Sequence, residues 1–249
     1  MIIGISGKIG SGKDIVGKII QYLIYCNDNK SEDEFNYTVK EWIDDYNSGE
    51  INQFPIITKD NWQIVKFADA LKDIVCILTG CTREQLEDID FKNSYLSEEW
   101  IYGIHEECGF KTLLSFPYDV NKYRGVLSKS YTYRELLQKL GTDLLRNQLH
   151  ENVWCNALFS KYKNNNWVIT DCRFENEANA IKDRNGIIIR VNRVSDSTKI
   201  GCDTRHRILH SSEIALDNYK FDYIITNDGL IEDLIASVKL ILIFAGIIQ

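Results

Sequence analysis

Apolar residues along this chain fall into five short runs that alternate with longer stretches of helical spacing. Short and nearly continuous apolar runs are typical of parallel strands that are covered on both faces. Strands that alternate with helices predict a parallel, doubly wound α/β sheet flanked by helices. The predicted strands are Met1 to Ser6, Trp62 to Ala68, Trp167 to Asp171, Gly186 to Asn192 and Asp222 to Thr226.

Apolar residues three and four positions apart predict the helices between these strands. The first helix runs from Lys13 to Tyr25. The second, Ala70 to Thr79, follows Asp69, which suits an N-cap, and ends at Gly80. The longest, Thr132 to Tyr162, carries a stripe of leucines, and we predict a single helix that opens with a capping box.

A glycine-rich turn joins the first strand to the first helix and contains the pattern G-x-x-x-x-G-K at Gly7, Gly12 and Lys13. A strand before this pattern and a helix after it are the context of a P-loop. The glycines let backbone N–H groups point at phosphate oxygens, and the helix N-terminus adds a partial positive charge. The pattern therefore predicts a P-loop NTPase fold with Lys13 at the β and γ phosphates of ATP.

Asp14 occupies the position after the lysine, where a Ser or Thr hydroxyl usually faces Mg²⁺, and Ile15 supplies no hydroxyl either. A carboxylate facing a triphosphate is repelled unless a cation lies between them, and Mg²⁺ accepts carboxylates readily. Asp14 is either a ligand of the metal, direct or through water, or a cap near the helix N-terminus, and the two roles can coexist. Asp171, at the end of the third strand, is a second candidate for Mg²⁺.

Composition narrows the class of protein. With 249 residues, of which 44% are apolar, the chain fits one α/β domain with insertions. Its net charge of −7 argues against a broad surface for a nucleic-acid polymer. Seven cysteines at irregular spacing favour free thiols in a reducing compartment. We expect a cytoplasmic enzyme (host cytoplasm if viral) without a signal peptide or a membrane partner.

Two polar stretches interrupt the alternation of strands and helices. Residues 27–61 are acidic, and we predict an insertion with one helix from Glu34 to Tyr46. A basic connection at about 193–211 carries Arg193 and Arg205, and in a P-loop kinase it would form a lid over the triphosphate. The alternative is an exposed basic loop.

Several single residues suggest contacts with phosphate. Lys72 lies in the first turn of its helix, against the helix dipole, so it faces either a bound anion or solvent. Arg134 and Arg146 are either phosphate clamps or solvated arginines. Gly141 interrupts a helical pattern and indicates close approach of another group. His105 and the three residues after it do not share a helix face, so no metal site is expected there.

Seven segments occur in a characteristic order and together cover nearly the whole chain. They are GKIGSGKD at 7–14, FADALKD at 67–73, EDID at 87–90, RELLQKLGTDL at 134–144 with Trp154, ITDCRFENEA at 169–178, HSSE at 210–213 and TNDG at 226–229. In these segments the chain resembles the deoxynucleoside monophosphate kinases of bacteriophages and large DNA viruses. This family commonly has Asp after the P-loop lysine and usually Thr next, where this chain has Ile15.

The resemblance implies a single P-loop kinase domain that transfers the γ-phosphoryl group of ATP to a dNMP, giving dNDP and ADP. It implies Mg²⁺ as cofactor, a homodimer, and an acceptor-side segment at about 81–150. Lys13, Arg173 and Arg193 would be catalytic, and Asp14 and Asp171 would hold the metal. The other implied contacts are, for ATP, Gly7, Gly10, Ser11, Gly12, Lys13, Asp14, Ile15 and Arg205, and, for the dNMP, Lys8, Lys72, Lys92, Arg134, Gly141, Thr142, Trp154, Asp171, Arg173 and Glu177.

Two other functions stay open at this point. One is a P-loop kinase for another small phosphorylated acceptor, such as phosphomevalonate. Assays with a panel of acceptors would distinguish it from a dNMP kinase. The other is a nucleotide-sensing protein without turnover, which Ile15 favours because the usual hydroxyl is missing. ATP consumption that depends on an added acceptor would argue against the sensor.

Overall fold

The computed structural model describes residues 1–28, 48, 62–107, 110–115, 127–193 and 214–249. Most of the predicted insertion, with its helix from Glu34 to Tyr46, and the lid-like segment beyond Arg193, with Arg205, lie outside the described residues. The chain divides into two compact units, each described by itself: Met1–Phe67 with Cys155–Gln249, and Ala68–Trp154. The predicted acceptor-side segment falls within the second unit.

The described strands form one parallel and one antiparallel sheet. Besides the α-helices, the described residues form a short 3₁₀ turn at Glu98–Trp100 and a π-helical segment at Lys139–Leu149. The strands are β1 (Ile2–Ser6), β2 (Gln63–Val65), β3 (Tyr102–Glu107), β4 (Phe110–Ser115), β5 (Leu127–Lys129), β6 (Trp167–Ile169), β7 (Ile187–Asn192) and β8 (Tyr223–Thr226). The α-helices are α1 (Lys13–Asp28), α2 (Asp69–Thr79), α3 (Ile89–Asn93), α4 (Tyr133–Gln138), α5 (Val153–Phe159), α6 (Glu175–Lys182) and α7 (Ile231–Phe244).

The first unit is built on a five-stranded parallel sheet in the order β2-β6-β1-β7-β8. Ile3 of the central strand β1 lies opposite Val168 on one side and Ile187 on the other. All five residues of β1 are buried, which explains its unbroken apolar run. The predicted parallel α/β sheet is confirmed, and each predicted strand is present, shortened at its ends.

Helices α1 and α7 cover the apolar core of the first unit. Val16, Ile19 and Ile20 of α1 are fully buried, and so are Val238 and Leu242 of α7. Apolar burial of this kind stabilises a fold by about 25 cal/mol for each Å² removed from water. The core therefore holds the carboxyl ends of the parallel strands in place. Ligands of such sheets bind at this edge.

The second unit contains an antiparallel sheet in the order β4-β3-β5. No strand was predicted in this region, because polar and aromatic residues are mixed and neither a period of two nor one of 3.6 dominates. The unit also contains a small helical core of Val75, Leu86, Leu96 and Leu136.

The prediction of one helix from Thr132 to Tyr162 was wrong. Its capping box is confirmed, since Thr132 accepts from the N–H of Glu135 and the Glu135 carboxylate accepts from the N–H of Thr132. The helix then widens into the π-helical segment and ends at His150, whose N–H donates to the carbonyl of Leu145. Wider turns rotate later side chains off the expected stripe, and Leu149 is 68% exposed.

The assignment of Asp69 as an N-cap was also wrong. Helix α2 begins at Asp69 itself, and the preceding Ala68 makes no side-chain cap. The Asp69 carboxylate instead accepts a 2.7 Å hydrogen bond from Arg83. The predicted end at Gly80 is confirmed, because this residue has a φ of 74° and its N–H donates to the carbonyl of Cys76.

Candidate nucleotide-binding site

The turn between β1 and α1 has the backbone conformation of a phosphate-binding loop. Gly10 and Gly12 have φ angles of 78° and 91°, which side-chain-bearing residues rarely adopt. The N–H of Ser11 donates to the carbonyl of Lys8 at 3.1 Å and closes the turn. Lys13 then begins α1 and is only 9% exposed. The loop therefore ends in a helix N-terminus with a lysine in its first turn, which suits an anion.

Close packing leaves no room for a larger residue at Gly7. A Cβ there would lie 2.3 Å from Ser11 Oγ and 2.7 Å from the carbonyl oxygen of Val191, a backbone atom that moves less easily than a side chain. A Cβ on Gly12 would lie 2.4 Å from Asn227 Nδ2, which is the end of a side chain. The requirement for glycine at Gly12 therefore comes mainly from its φ of 91°.

Asn227 holds the loop from outside and was missed as a site residue. Its side-chain Nδ2 donates to the carbonyl of Ser11 at 2.9 Å, and its backbone N–H donates to the carbonyl of Asn192 at 2.7 Å. The residue follows β8, so it connects the edge strand to the loop. The sequence marked Asn227 only as part of the segment TNDG, because a side-chain contact across 216 residues leaves no local pattern.

Asp14 is held by two residues from neighbouring strands. Its Oδ1 accepts from Lys66 Nζ at 2.9 Å and from Thr170 Oγ1 at 3.0 Å. Partial burial would raise the pKa of the Asp14 carboxyl, but the charge and hydrogen bond of Lys66 outweigh this effect. Lys13 and Thr170 add to the lowering, so the pKa lies below its usual value and the group is a carboxylate at neutral pH. Neither Lys66 nor Thr170 was predicted as a site residue.

Asp171 is buried at the end of β6. It is 8% exposed, and its Oδ1 accepts from the backbone N–H of Phe67 at 2.8 Å. The neighbouring Cys172 is 1% exposed, and burial, with the nearby carboxylates of Glu177 and Asp171, raises the pKa of its thiol well above the usual value. Asp171 is thus a rigidly placed carboxylate at the carboxyl edge of the sheet.

Glu177 has a structural explanation at the start of α6. Its Oε2 accepts from the backbone N–H of Arg173 at 2.8 Å and of Phe174 at 3.1 Å. These bonds satisfy N–H groups that a helix N-terminus leaves without partners. These two hydrogen bonds explain why a carboxylate that is only 3% exposed lies here. Its predicted role in dNMP binding is not needed for that explanation.

Two cations of the predicted site contact the loop or its surroundings. Arg193 is exposed and donates from Nη1 to the carbonyl of Gly10 at 3.3 Å. Lys8 pairs with Asp217 at 3.3 Å, and Asp217 also accepts from Arg190 at 3.0 Å. Arg190, which sequence analysis did not select, is buried.

In the second unit, three predicted cations gather around one short segment. Lys72 forms an ion pair with the Glu87 carboxylate, and Lys92 donates to the Glu87 carbonyl at 3.2 Å. Arg134 donates from Nε to Asn93 Oδ1 at 2.7 Å. The segment from Glu87 to the end of α3 therefore brings its own Lys92 together with side chains from two other parts of the sequence. The pair with Glu87 also gives Lys72 a partner other than a bound anion or solvent.

Gly141 and Trp154, also predicted for the acceptor, contact each other. Trp154 Nε1 donates to the carbonyl of Gly141 at 2.8 Å. A Cβ on Gly141 would lie 2.7 Å from Leu71 Cδ2, so the predicted close approach comes from a side chain of α2. Thr142 follows in the π-helical segment and is half-buried.

The described residues limit how a metal could be held. They include no group of three or more His, Cys, Asp or Glu side chains arranged to hold an ion. Asp14 and Asp171 offer hard carboxylate oxygens, and Mg²⁺ usually combines one or two carboxylates with waters and substrate phosphates. The donor set fits Mg²⁺ bound together with a nucleotide. None of the described helices is both long and apolar enough to cross a membrane.

Comparison with known proteins finds one consistent group. Residues 116–238 match the family described as deoxynucleotide monophosphate kinase. A putative deoxynucleotide monophosphate kinase of Acanthamoeba polyphaga mimivirus is 33% identical over 156 residues, covering 55% of this chain and 68% of the relative.

Two bacteriophage proteins are also similar. The deoxynucleoside-5'-monophosphate kinase of Escherichia phage T5 is 26% identical over 209 residues, which cover 74% of this chain and 73% of the relative. The deoxynucleotide monophosphate kinase of Enterobacteria phage T4 is 29% identical over 128 residues, which cover 48% of this chain and 50% of the relative. The similarity therefore extends over both the P-loop unit and the unit that contains the clustered cations.

Proposed function

The chain belongs to the deoxynucleotide monophosphate kinase family, and we propose that it transfers the γ-phosphoryl group of ATP to the phosphate of a deoxynucleoside monophosphate. The products are dNDP and ADP. The observation that carries this proposal is the loop from Gly7 to Lys13, whose two left-handed glycines lead directly into the N-terminus of α1. Such a loop cradles a nucleotide triphosphate by backbone N–H groups.

The reaction requires no side-chain nucleophile. A phosphate oxygen of the dNMP attacks the γ-phosphorus, and the bond to the β–γ bridging oxygen breaks, so that ADP leaves with that oxygen. The transition state is loose and spreads negative charge over the transferred group. Catalysis then depends on positioning and on cations. We assign these roles to Lys13, Arg173 and Arg193.

Asp14 and Asp171 would hold Mg²⁺, which when bound neutralises phosphate charge in such reactions. Asp14 accepts donors through Oδ1, and the described bond from Phe67 likewise falls on Oδ1 of Asp171. The two donors on Oδ1 of Asp14 orient this carboxylate and favour coordination of the metal through its Oδ2. Ile15 then lies beside the metal site without providing a ligand.

The acceptor phosphate would bind in the second unit, where Lys72, Lys92 and Arg134 gather around the segment from Glu87 to Asn93. Arginine and lysine side chains already tethered to neighbours lose less entropy when they bind phosphate. The remaining acceptor contacts proposed from the family pattern are Lys8, Gly141, Thr142, Trp154, Asp171, Arg173 and Glu177.

Three further features remain proposals. The family pattern implies a homodimer, whereas the net charge and the cysteines favour a cytoplasmic enzyme (host cytoplasm if viral) without a nucleic-acid polymer as partner. Light scattering of the purified protein would measure the dimer directly. A mass of one chain, 28.8 kDa, at working concentration would contradict it.

The experiment that tests the function is coupled ADP release with Mg-ATP and each common dNMP and NMP in turn. We expect turnover with one or more dNMPs and little with the corresponding NMPs. Lys13→Ala should lower turnover by about a thousandfold or more, because it removes charge stabilisation in the transition state. Lys163→Ala, at an exposed lysine outside the site, is the matched control and should match the wild type.

Each other outcome has a defined meaning. ATP binding without turnover on any acceptor would favour the nucleotide sensor, and Ile15→Thr would then be the first variant to test. Turnover on phosphomevalonate but on no nucleotide would favour the other P-loop kinase. Near-normal turnover in Lys13→Ala would contradict the assignment of the P-loop.

A further inference from the structure

Two strands of the parallel sheet end in side chains that converge on a single oxygen of the P-loop helix. Lys66 follows β2 and Thr170 follows β6, and these strands are neighbours in the sheet. Both side chains donate to Oδ1 of Asp14, at 2.9 Å and 3.0 Å. The carboxylate is thus fixed by the sheet, although it belongs to the first turn of α1.

Thr170 is locked in the orientation that makes this bond. It is completely buried, and its methyl Cγ2 lies where a Cβ on Gly17 would approach to 2.4 Å. The missing side chain at Gly17 lets α1 approach the end of β6 closely enough for the methyl to pack and the hydroxyl to reach Asp14. The hydrogen bond between Thr170 and Asp14 therefore depends on close packing between α1 and the end of β6.

Lys66 provides a cation at the position where the unusual carboxylate needs one. Its side chain is 26% exposed and that of Asp14 is 52% exposed, so the pair borders the solvent beside the loop. An unpaired carboxylate next to Lys13 would cancel part of the charge that attracts the triphosphate. A paired carboxylate does so much less.

We propose that Lys66 and Thr170 are positioning residues for Asp14, and that Lys66 supplies the charge that lets this P-loop accept ATP before a divalent cation binds. The proposal rests on the ATP site of the proposed function, but it concerns binding and not phosphoryl transfer. Ile15 has no hydroxyl, and Thr170 provides one that holds the Asp14 carboxylate in place.

The test is calorimetric measurement of ATP affinity in EDTA and again in excess Mg²⁺. Lys66→Met should weaken binding in EDTA by about tenfold or more, because Asp14 then repels the triphosphate. In excess Mg²⁺ the loss should be about threefold or less, since the metal ion replaces the missing charge. Lys66→Gln is a second variant, and Lys163→Met is the control at an exposed lysine.

A double variant separates charge from packing. Lys66→Met combined with Asp14→Asn should recover most of the affinity lost in EDTA, because the repelling carboxylate is gone. Thr170→Val keeps the shape but loses the hydroxyl and should weaken binding in EDTA, whereas Thr170→Ser should retain it. A purely structural role would produce equal losses in EDTA and Mg²⁺ and no recovery in the double variant, and that result would overturn the proposal.

The same data distinguish the two levels of inference. A wild-type protein that binds no ATP under either condition contradicts the proposed function. A wild-type protein that binds ATP only with Mg²⁺, or one in which Lys66 and Asp14 show no coupling, overturns this inference and leaves the kinase assignment intact. Circular dichroism of each variant confirms that the comparison is made between folded proteins.

Discussion

The indole Nε1 of Trp154 donates a buried hydrogen bond of 2.8 Å to the carbonyl oxygen of Gly141. The two residues lie on opposite sides of His150, where the helical chain breaks into an extended conformation. The bond therefore joins the π-helical segment to the start of α5 across the break. It also satisfies a carbonyl in a segment whose geometry departs from the regular α-helix.

Trp154→Phe should destabilise the protein by about 1–3 kcal/mol, because the buried hydrogen bond from the indole to the Gly141 carbonyl is lost. Urea unfolding followed by circular dichroism measures the difference. Trp100→Phe is the matched control, since Trp100 is only partly buried against the same unit's core. Equal effects of the two substitutions would show that lost ring contacts, and not the hydrogen bond, determine the change.

Asn227→Asp should weaken ATP binding more than Asn227→Ala. The carboxylate cannot donate to the carbonyl of Ser11, and it adds negative charge beside the loop, whereas alanine only removes the donor. We expect a loss of about tenfold for Asp and a smaller loss for Ala, measured by calorimetry. Thr226→Ala, at the exposed neighbouring position, should leave the affinity unchanged. Equal affinities for the Asp and Ala variants would contradict the electrostatic part of the explanation.

Arg190 and Lys8 share the partner Asp217 but differ in burial. The Arg190 side chain is 10% exposed and also donates to Ser6 Oγ at 3.1 Å, whereas that of Lys8 is 52% exposed. Arg190→Met should cost about 1–3 kcal/mol of unfolding free energy, because buried hydrogen bonds are lost. Lys8→Met should cost less than about 1 kcal/mol, as exposed ion pairs do. Similar losses for the two variants in urea unfolding would show that burial is not the deciding factor.

The acceptor role of the clustered cations predicts selective kinetics. Lys72→Met and Arg134→Met should each raise the KM for the dNMP by about tenfold or more while the KM for ATP changes little. Lys129→Met, at an exposed lysine of the same unit, is the control. A change confined to protein stability, with the KM for the dNMP unaltered, would remove these residues from the acceptor site.

The buried thiol of Cys172 leads us to expect that the free energy of unfolding decreases at alkaline pH. Burial raises the pKa of its thiol in the folded protein above that of the unfolded chain, so the unfolded state ionises first as the pH rises. This contribution is fully present below about pH 8.5 and is lost at higher pH, by at most about 1.4 kcal/mol for each pH unit.

Urea unfolding at pH 7 and pH 9.5 measures this contribution as the difference between wild type and Cys172→Ala. Cys172→Ala should lose less stability between the two values than the wild type does. Parallel losses would mean that the Cys172 thiol ionises equally easily in both states. Native Cys172 should also resist alkylation until the chain unfolds, because only the thiolate reacts.

Local pattern was enough to predict the parallel sheet, the P-loop and the C-terminal end of α2 at Gly80. The antiparallel hairpin of β3 and β4 was missed because its strands carry no dominant period. The long helix was predicted without its break, because the apolar stripe of leucines continues through the π-helical segment. Propensity and periodicity describe neighbours in sequence. They therefore predicted neither the pairing of β3 with β4 nor the change of helix geometry inside one continuous stripe.

The sequence by itself determined the form of the loop. A glycine-rich turn between a buried strand and a helix can adopt the positive φ angles of Gly10 and Gly12, and Lys13 follows it. Only the tertiary structure decided how Asp14 is held. Lys66 and Thr170 are separated from it by 52 and 156 residues, and each reaches it because β2 and β6 end side by side. Strand order depends on packing of the whole sheet, and no local stretch of sequence specifies it.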